Sequence, residues 1–170
     1  DGSYKITVPE DTEKIELSAK ASNEYAMVSI DGETKEKEIQ VKEISLEGKV
    51  TTLIITVTAQ NGDKAEYTVT ITKVSNSNEL EWIKVEGNLA KLNEETGEYE
   101  ALIPSSTTEA EVIVQAKNDY ATISVEEASA VKTLTTTVDT TDEVTKVMIT
   151  VTSEDGEIAT YNLSIRKISG

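Results

Sequence analysis

The sequence predicts an all-β protein made of two tandem sandwich domains, mostly antiparallel. Three observations carry this reading. The chain repeats itself at a spacing of 95 residues, apolar side chains within each copy alternate with period two, and Asn61-Gly62 and Asp155-Gly156 recur as turn signals at equivalent points. Repetition on this scale marks a duplicated structural unit, and period-two alternation marks strands with one buried face.

The elements follow in chain order. Tyr4-Lys-Ile-Thr-Val-Pro9 opens the first copy and recurs as Tyr99-Glu-Ala-Leu-Ile-Pro104. The next strand has Ile15, Leu17, Ala19 and Ala21 on one face, answered by Val112, Val114 and Ala116. Ala21-Ser-Asn-Glu-Tyr25-Ala then recurs as Ala116-Lys-Asn-Asp-Tyr120-Ala. Leu134, Thr136 and Val138 share a further face, and no stretch follows a 3.6-residue period; a single turn is the most that Glu126 to Ala130 could form. Ile55-Thr-Val-Thr58 matches Ile149-Thr-Val-Thr152 at a spacing of 94, so one residue is lost in the middle of the second copy. Leu53, Ile55, Val57 and Ala59 form one alternating run, and Tyr67, Val69 and Ile71 form the next. Their counterparts are Val147, Ile149 and Val151, then Tyr161, Leu163 and Ile165. The Asn-Gly and Asp-Gly pairs between these runs supply the positive φ that a tight hairpin demands. Asp63 to Tyr67 also fits the spacing of a tyrosine corner, but the preceding Asn-Gly favours a hairpin.

The six tyrosines fall at paired positions: Tyr4 with Tyr99, Tyr25 with Tyr120, Tyr67 with Tyr161. Each is expected to bury its ring and to reach a backbone partner with its hydroxyl. Residues 75–78 are short and polar and read as a linker, which leaves domains at 1–74 and 79–170. So short a connection predicts a semi-rigid tandem. The second copy carries a leading strand, Leu80-Glu-Trp-Ile-Lys-Val85, with no counterpart in the first. Either the chain starts inside the module, or a preceding segment or another chain supplies that strand to an open edge.

Composition narrows the function classes. Apolar residues make up 37% and aromatic ones 4%, with no Phe, so the cores are built from Val, Ile, Leu and Ala. With 32 acidic residues against 16 basic, the net charge of −16 repels nucleic acid and anionic membrane surfaces. The absence of Cys removes disulfides, thiolate metal sites and cysteine nucleophiles; the absence of His removes a Ser-His-Asp triad and histidine zinc sites. No apolar run approaches the roughly 20 residues of a membrane helix.

The pattern Leu-x-x-Ile-x-Val-x-Gly, then Tyr-x-x-x-Ile-Pro, then an alternating run ending in Ala, then Asp-Gly-x-x-x-x-Tyr-x-Leu-x-Ile-x-Lys, is carried by Leu80, Ile83, Val85, Gly87, Tyr99, Pro104, Ala116, Asp155, Gly156, Tyr161, Leu163, Ile165 and Lys167. The first copy carries it through Tyr4, Pro9, Ala21, Asn61, Gly62, Tyr67, Val69, Ile71 and Lys73. This resembles the tandem cadherin-like, immunoglobulin-like β-sandwich modules of bacterial cell-surface proteins. The resemblance implies a secreted or cell-surface location, neighbouring domains in a larger protein and no catalytic residues. The family's Pro-aromatic pair after the leading strand is here Lys91-Leu92.

Asp139, Asp142 and Glu143, and Glu154 with Asp155, are the nearest approach to a calcium cluster; they read as solvated turns, and no metal or cofactor is expected. A glycosidase needs two carboxylates facing across a cleft, which thin sandwiches do not offer. Trp82 is the only tryptophan and is expected to be partly buried rather than a sugar platform. An isopeptide brace is not expected, because Lys5 and Asn162 alternate away from the buried face. With no ligand-binding residue identified, the sequence points to a non-catalytic spacer that positions neighbouring domains. The alternative is an adhesion or recognition module that binds cell-wall glycan or protein through loops or the open edge of the first domain.

Overall fold

The structure, a computed structural model, describes residues 2–32 and 36–169. Its chain divides into two compact units, residues 1–74 and 75–170, and both are all-β.

In the first unit β1 (Ser3–Pro9), β3 (Met27–Ile30), β4 (Glu36–Lys37), β6 (Val50–Thr58) and β7 (Lys64–Val74) form a sheet in the order β1-β7-β6-β3-β4. The other sheet has two strands, β2 (Lys14–Lys20) and β5 (Ile39–Ser45). All neighbours are antiparallel except β1 and β7, which run parallel from Ser3↔Thr68 to Pro9↔Val74.

The second unit repeats this plan and extends it. β8 (Leu80–Val85), β9 (Asn88–Leu89), β12 (Glu109–Ala116) and β15 (Thr133–Asp139) form one sheet in the order β15-β12-β8-β9. β10 (Lys91–Asn93), β11 (Glu98–Pro104), β13 (Thr122–Val125), β14 (Ala128–Val131), β16 (Val144–Thr152) and β17 (Ile158–Ile168) form the facing sheet in the order β10-β11-β17-β16-β13-β14. The parallel pair recurs as β11 with β17. β8, β9 and β10 are the additions; the other seven strands match β1 to β7 one for one.

The alternation read from the sequence appears as alternating burial. Ala110, Val112, Val114 and Ala116 of β12 are sealed, as are Ile149 and Val151 of β16 and Leu163 and Ile165 of β17. All belong to one continuous core cluster. The first unit's core is split into a patch around Ile30, Ile44, Leu53 and Ile71 and a smaller one around Ala21, Ala26 and Val28, with half-buried Ala19 and Ile55 touching both.

Both glycine turns close hairpins, β6 to β7 and β16 to β17. Only the glycines take positive φ, Gly62 at 97° and Gly156 at 99°. Gly62 N–H donates to the Ala59 carbonyl (2.9 Å) and Ala59 N–H to the Asp63 carbonyl (2.7 Å), so the loop is three residues long with the glycine left-handed. Asp63 N–H donates to the Asn61 side-chain oxygen (2.9 Å), which explains Asn at the preceding position.

Two expectations change. Glu126 and Glu127 form no helical turn; they are the two-residue turn between β13 and β14, with Glu126 at φ 53°. Pairing Thr122 to Val125 with Ala128 to Val131 satisfies the backbone as a lone helical turn could not. The lost residue lies in this hairpin, because Ile30 corresponds to Val125 at 95 residues while Glu38 corresponds to Lys132 at 94. Glu38 and Lys132 share a positive φ, of 66° and 69°, and their carbonyls accept from Ala21 N–H and Ala116 N–H.

The second change concerns the tyrosines. Tyr4, Tyr25 and Tyr120 are 56%, 52% and 50% exposed, so they are not buried anchors. Tyr25 and Tyr120 follow Asx turns, where their N–H groups donate to the side chains of Asn23 (2.8 Å) and Asn118 (2.9 Å). In that motif the alanines go inward and the ring outward: Ala21, Ala26, Ala116 and Ala121 are all buried. Tyr4 and Tyr67 form a ring pair with centroids 6.2 Å apart, and Tyr99 and Tyr161 repeat it at 6.5 Å. Tyr161 does anchor by its hydroxyl, which donates to the Asn78 carbonyl at 2.8 Å. Burial is the first cause that raises its pKa above 10.0, with the neighbouring Tyr99 adding to it.

Candidate functional site

The two units differ most at one strand edge, and the site is built there. In the second unit β12 has β15 on one side and β8 on the other. β8 runs antiparallel to β12 and sets Val85 opposite Val112, Ile83 opposite Val114 and Leu80 opposite Ala116, with a bulge between Gln115 and Ala116. Leu80, Ile83 and Val85 are all buried in the core. Trp82 and Lys84 take the other face, where Lys84 Nζ stands 4.6 Å from the half-buried indole's centre. Trp82 is thus partly buried, and its face is shared with a cation.

The first unit lacks a counterpart of β8 among the described residues, so β2 pairs with β5 alone. At a spacing of 95 the residues equivalent to Val112, Val114 and Ala116 are Leu17, Ala19 and Ala21. These three line a groove of about 490 Å³ between β1 and β2, floored by Val28, Ile55, Val57 and Val69. Tyr4 and Tyr67 also line it, and Lys5 and Lys20 are its charged residues. The apolar run of β2 was expected to be plain core; it is a core face left uncovered on one side. The signal for this was the missing leading strand, which names the open edge but not the depth behind it.

The carboxylate candidates are engaged locally. Asp139 accepts from both the hydroxyl and the N–H of Thr141, and that bonding, hydroxyl first, lowers its pKa below the usual 3.8. Asp155 accepts from the Ser153 hydroxyl and, at 3.3 Å, from Glu157 N–H, while Glu154 accepts from Ser75 N–H at 2.9 Å. Among the described residues no group of three or more His, Cys, Asp or Glu is placed to hold a metal ion, and no helix is long and apolar enough to cross a membrane. Lys5 and Asn162 are both exposed. Ser75 and Asn78 lie at the start of the second unit and bond within it: the Ser75 carbonyl accepts from Asp155 N–H at 3.1 Å, and the Asn78 side chain donates to the Glu157 carbonyl at 3.4 Å.

Against known families, the profile of the Cadherin-like beta sandwich domain matches residues 1–74 and 81–168, nearly the whole chain. The chain belongs to this family. Each match covers one copy of the cadherin-like repeat, and the first begins without the leading strand that the second has as β8. The chain contains no Cys and no His. No curated protein sequence matches it. Among solved structures it is similar to three EC domains of the mouse clustered protocadherin PcdhgC3, at 13% identity and a TM-score of 0.35 over 99% of this chain and 66% of that one. It is also similar to the human desmocollin-1 ectodomain, at 10% identity and 0.34 over 98% and 35% of the two chains. The fibronectin(III)-like modules of Clostridium thermocellum CbhA match at 9% and 0.36 over 99% and 90%. The chain therefore spans about a third to two thirds of the length of these two cadherin structures, and at these values the neighbours add nothing to the family assignment.

Proposed function

We propose that this cadherin-like pair is an adhesion or recognition module of a secreted or cell-surface bacterial protein, binding a polypeptide through the open edge of its first domain. The supporting observation is the apolar groove beside the single-sided strand β2. An edge of this kind offers unpaired backbone donors and acceptors together with pockets for alternate side chains, the two requirements for adding a strand. In this reading the domains are residues 1–74 and 79–170, joined by 75–78.

A protein and glycan array tests it, with wild type beside Leu17→Glu, which places a carboxylate in the groove. Saturable protein hits that the variant loses, while its circular dichroism is kept, are the expected result. Hits from glycans alone, or hits indifferent to residue 17, overturn it. A second reading, a spacer that holds neighbouring domains apart, draws on the second unit, where β8 already covers the same edge. A blank array with cooperative folding would favour the spacer.

A further inference from the structure

We propose that the outer face of the second unit's larger sheet binds one acidic sugar unit, a hexuronate, whose carboxylate is gripped by Arg166 and Lys91. The site belongs to the second unit alone and does not rest on the open edge of the first. It is a pocket of about 200 Å³ across β10, β11 and β17, walled by Lys91, Glu100, Leu102 and Arg166 with Ser164 between them. The strand register builds it. Lys91 stands opposite Glu100, Glu100 opposite Ser164 and Leu102 opposite Arg166, so all five side chains leave the same face. Ser164 points outward yet is only 7% exposed, sunk among its longer neighbours. Among the described residues its hydroxyl makes no hydrogen bond, so a donor and an acceptor are offered to the pocket. A polar group so covered is satisfied by whatever enters.

The two cations are equally uncommitted. Among the described residues neither Lys91 nor Arg166 forms an ion pair, whereas Lys146, opposite Ser164 on β16, is held by Glu98 at 2.7 Å. Glu100 is the one carboxylate in the lining, and the Asn93 side chain donates to it at 3.3 Å from the Glu98 end of the strands, away from Arg166. Arg166 is the chain's only arginine, and its fork matches a carboxylate with two bonds at once, as an ammonium cannot. The duplication isolates it. The first unit has Lys5, Thr7, Thr70 and Thr72 where the second has Glu100, Leu102, Ser164 and Arg166. Threonine thus satisfies the scaffold at this position, and the arginine answers to something else. Sites for drug-sized ligands run to about 300–1,000 Å³, so this pocket admits a single small ring rather than a peptide. Two cations call for an anion, while Glu100 and a net charge of −16 disfavour one with more than a single charge. A hexuronate supplies one carboxylate for Arg166 and Lys91, hydroxyls for Ser164 and Glu100, and an apolar ring face for the exposed Leu102.

The test is a titration of the intact chain with D-galacturonate, followed by backbone amide NMR shifts, beside galactose, which differs only at the carboxylate, and inorganic phosphate. Saturable shifts at Lys91, Glu100 to Leu102 and Ser164 to Arg166 are expected with galacturonate. Galactose is expected to bind at least about tenfold more weakly. Arg166→Thr, which copies the first unit, is expected to weaken galacturonate about tenfold, and Arg166→Lys, which keeps the charge without the fork, about threefold. Both variants keep the fold, because Arg166 is exposed and its equivalent Thr72 already sits in a strand. Leu17→Glu, the variant of the open edge, is expected to leave the titration unchanged, so the two readings stand or fall separately. No saturable shift, galactose binding as tightly as galacturonate, phosphate binding more tightly than galacturonate, or indifference to Arg166→Thr overturns the proposal.

Discussion

β2 and β12 descend from the same duplicated sequence and end in different environments. Ala110, Val112, Val114 and Ala116 are each 0% exposed, whereas Ile15, Leu17 and Ala19 are only half-buried and Ala21 alone is buried. The contrast continues behind the sheet, since Ile149 and Val151 are sealed while Ile55 and Val57 are half-buried. The difference is β8, which covers one core and has no counterpart on the other. Burying a Leu, an Ile and a Val is worth about 1.5–3 kcal/mol each, so β8 gives the second unit on the order of 5–9 kcal/mol of gross burial. Whole domains are stable by about 5–15 kcal/mol. The burial contributed by one strand is therefore of the same order as the net stability of a whole domain.

The largest expected effect follows directly. Denaturant unfolding of this chain should show two transitions, with the first unit melting before the second. Coincident transitions in the free chain would break the comparison. Next in size is a matched pair of core truncations. Ile149→Ala should cost the second unit about 2–5 kcal/mol, as for a sealed core position. Ile55→Ala, at the equivalent but half-open site, should cost roughly half as much, measured by the shift in each unit's midpoint. Equal costs would mean that the groove is closed in solution.

A smaller effect separates the equivalent tyrosines. Tyr161→Phe removes the hydroxyl that donates to Asn78 and should cost about 0.5–1.5 kcal/mol, whereas Tyr67→Phe should be near neutral. The same phenol predicts a pH dependence. Its pKa is raised in the fold, so the neutral form is favoured there; its contribution is intact below pH 10.0 and is lost as the pH climbs past that value through the raised one. Thermal melts between pH 8 and 11 should show a decline in the second unit that Tyr161→Phe flattens. Smallest is Asp139, whose equivalent in the first unit is Ser45. Its lowered pKa favours the carboxylate in the fold, so its contribution is present above 3.8 and lost as the pH falls below it through the lowered value. Asp139→Asn should remove that part of the second unit's acid sensitivity and leave the first unit's melt unchanged.

Much of this fold was legible because strand burial is written as alternation. Leu163 and Ile165 are core and Asn162 is surface for the simple reason that successive side chains of a strand face opposite ways. The hairpins at Gly62 and Gly156 were legible because few residues tolerate a left-handed φ. The hairpin at Glu126 was not, since glutamate carries no turn signal and its positive φ is imposed by the pairing of β13 with β14. Nor was the fate of the tyrosines. Their matched positions marked a shared geometry, but whether a ring is covered depends on strands that lie far away in sequence.

Sequence alone determined the two copies, their strands, the inward and outward faces and the lack of any Cys or His for chemistry, because each of these is a local or periodic property of the chain. The tertiary structure decided which inward faces are truly enclosed. Burial requires a second surface, and for Leu17, Ala19 and Ala21 the chain of described residues brings none across the edge of β2.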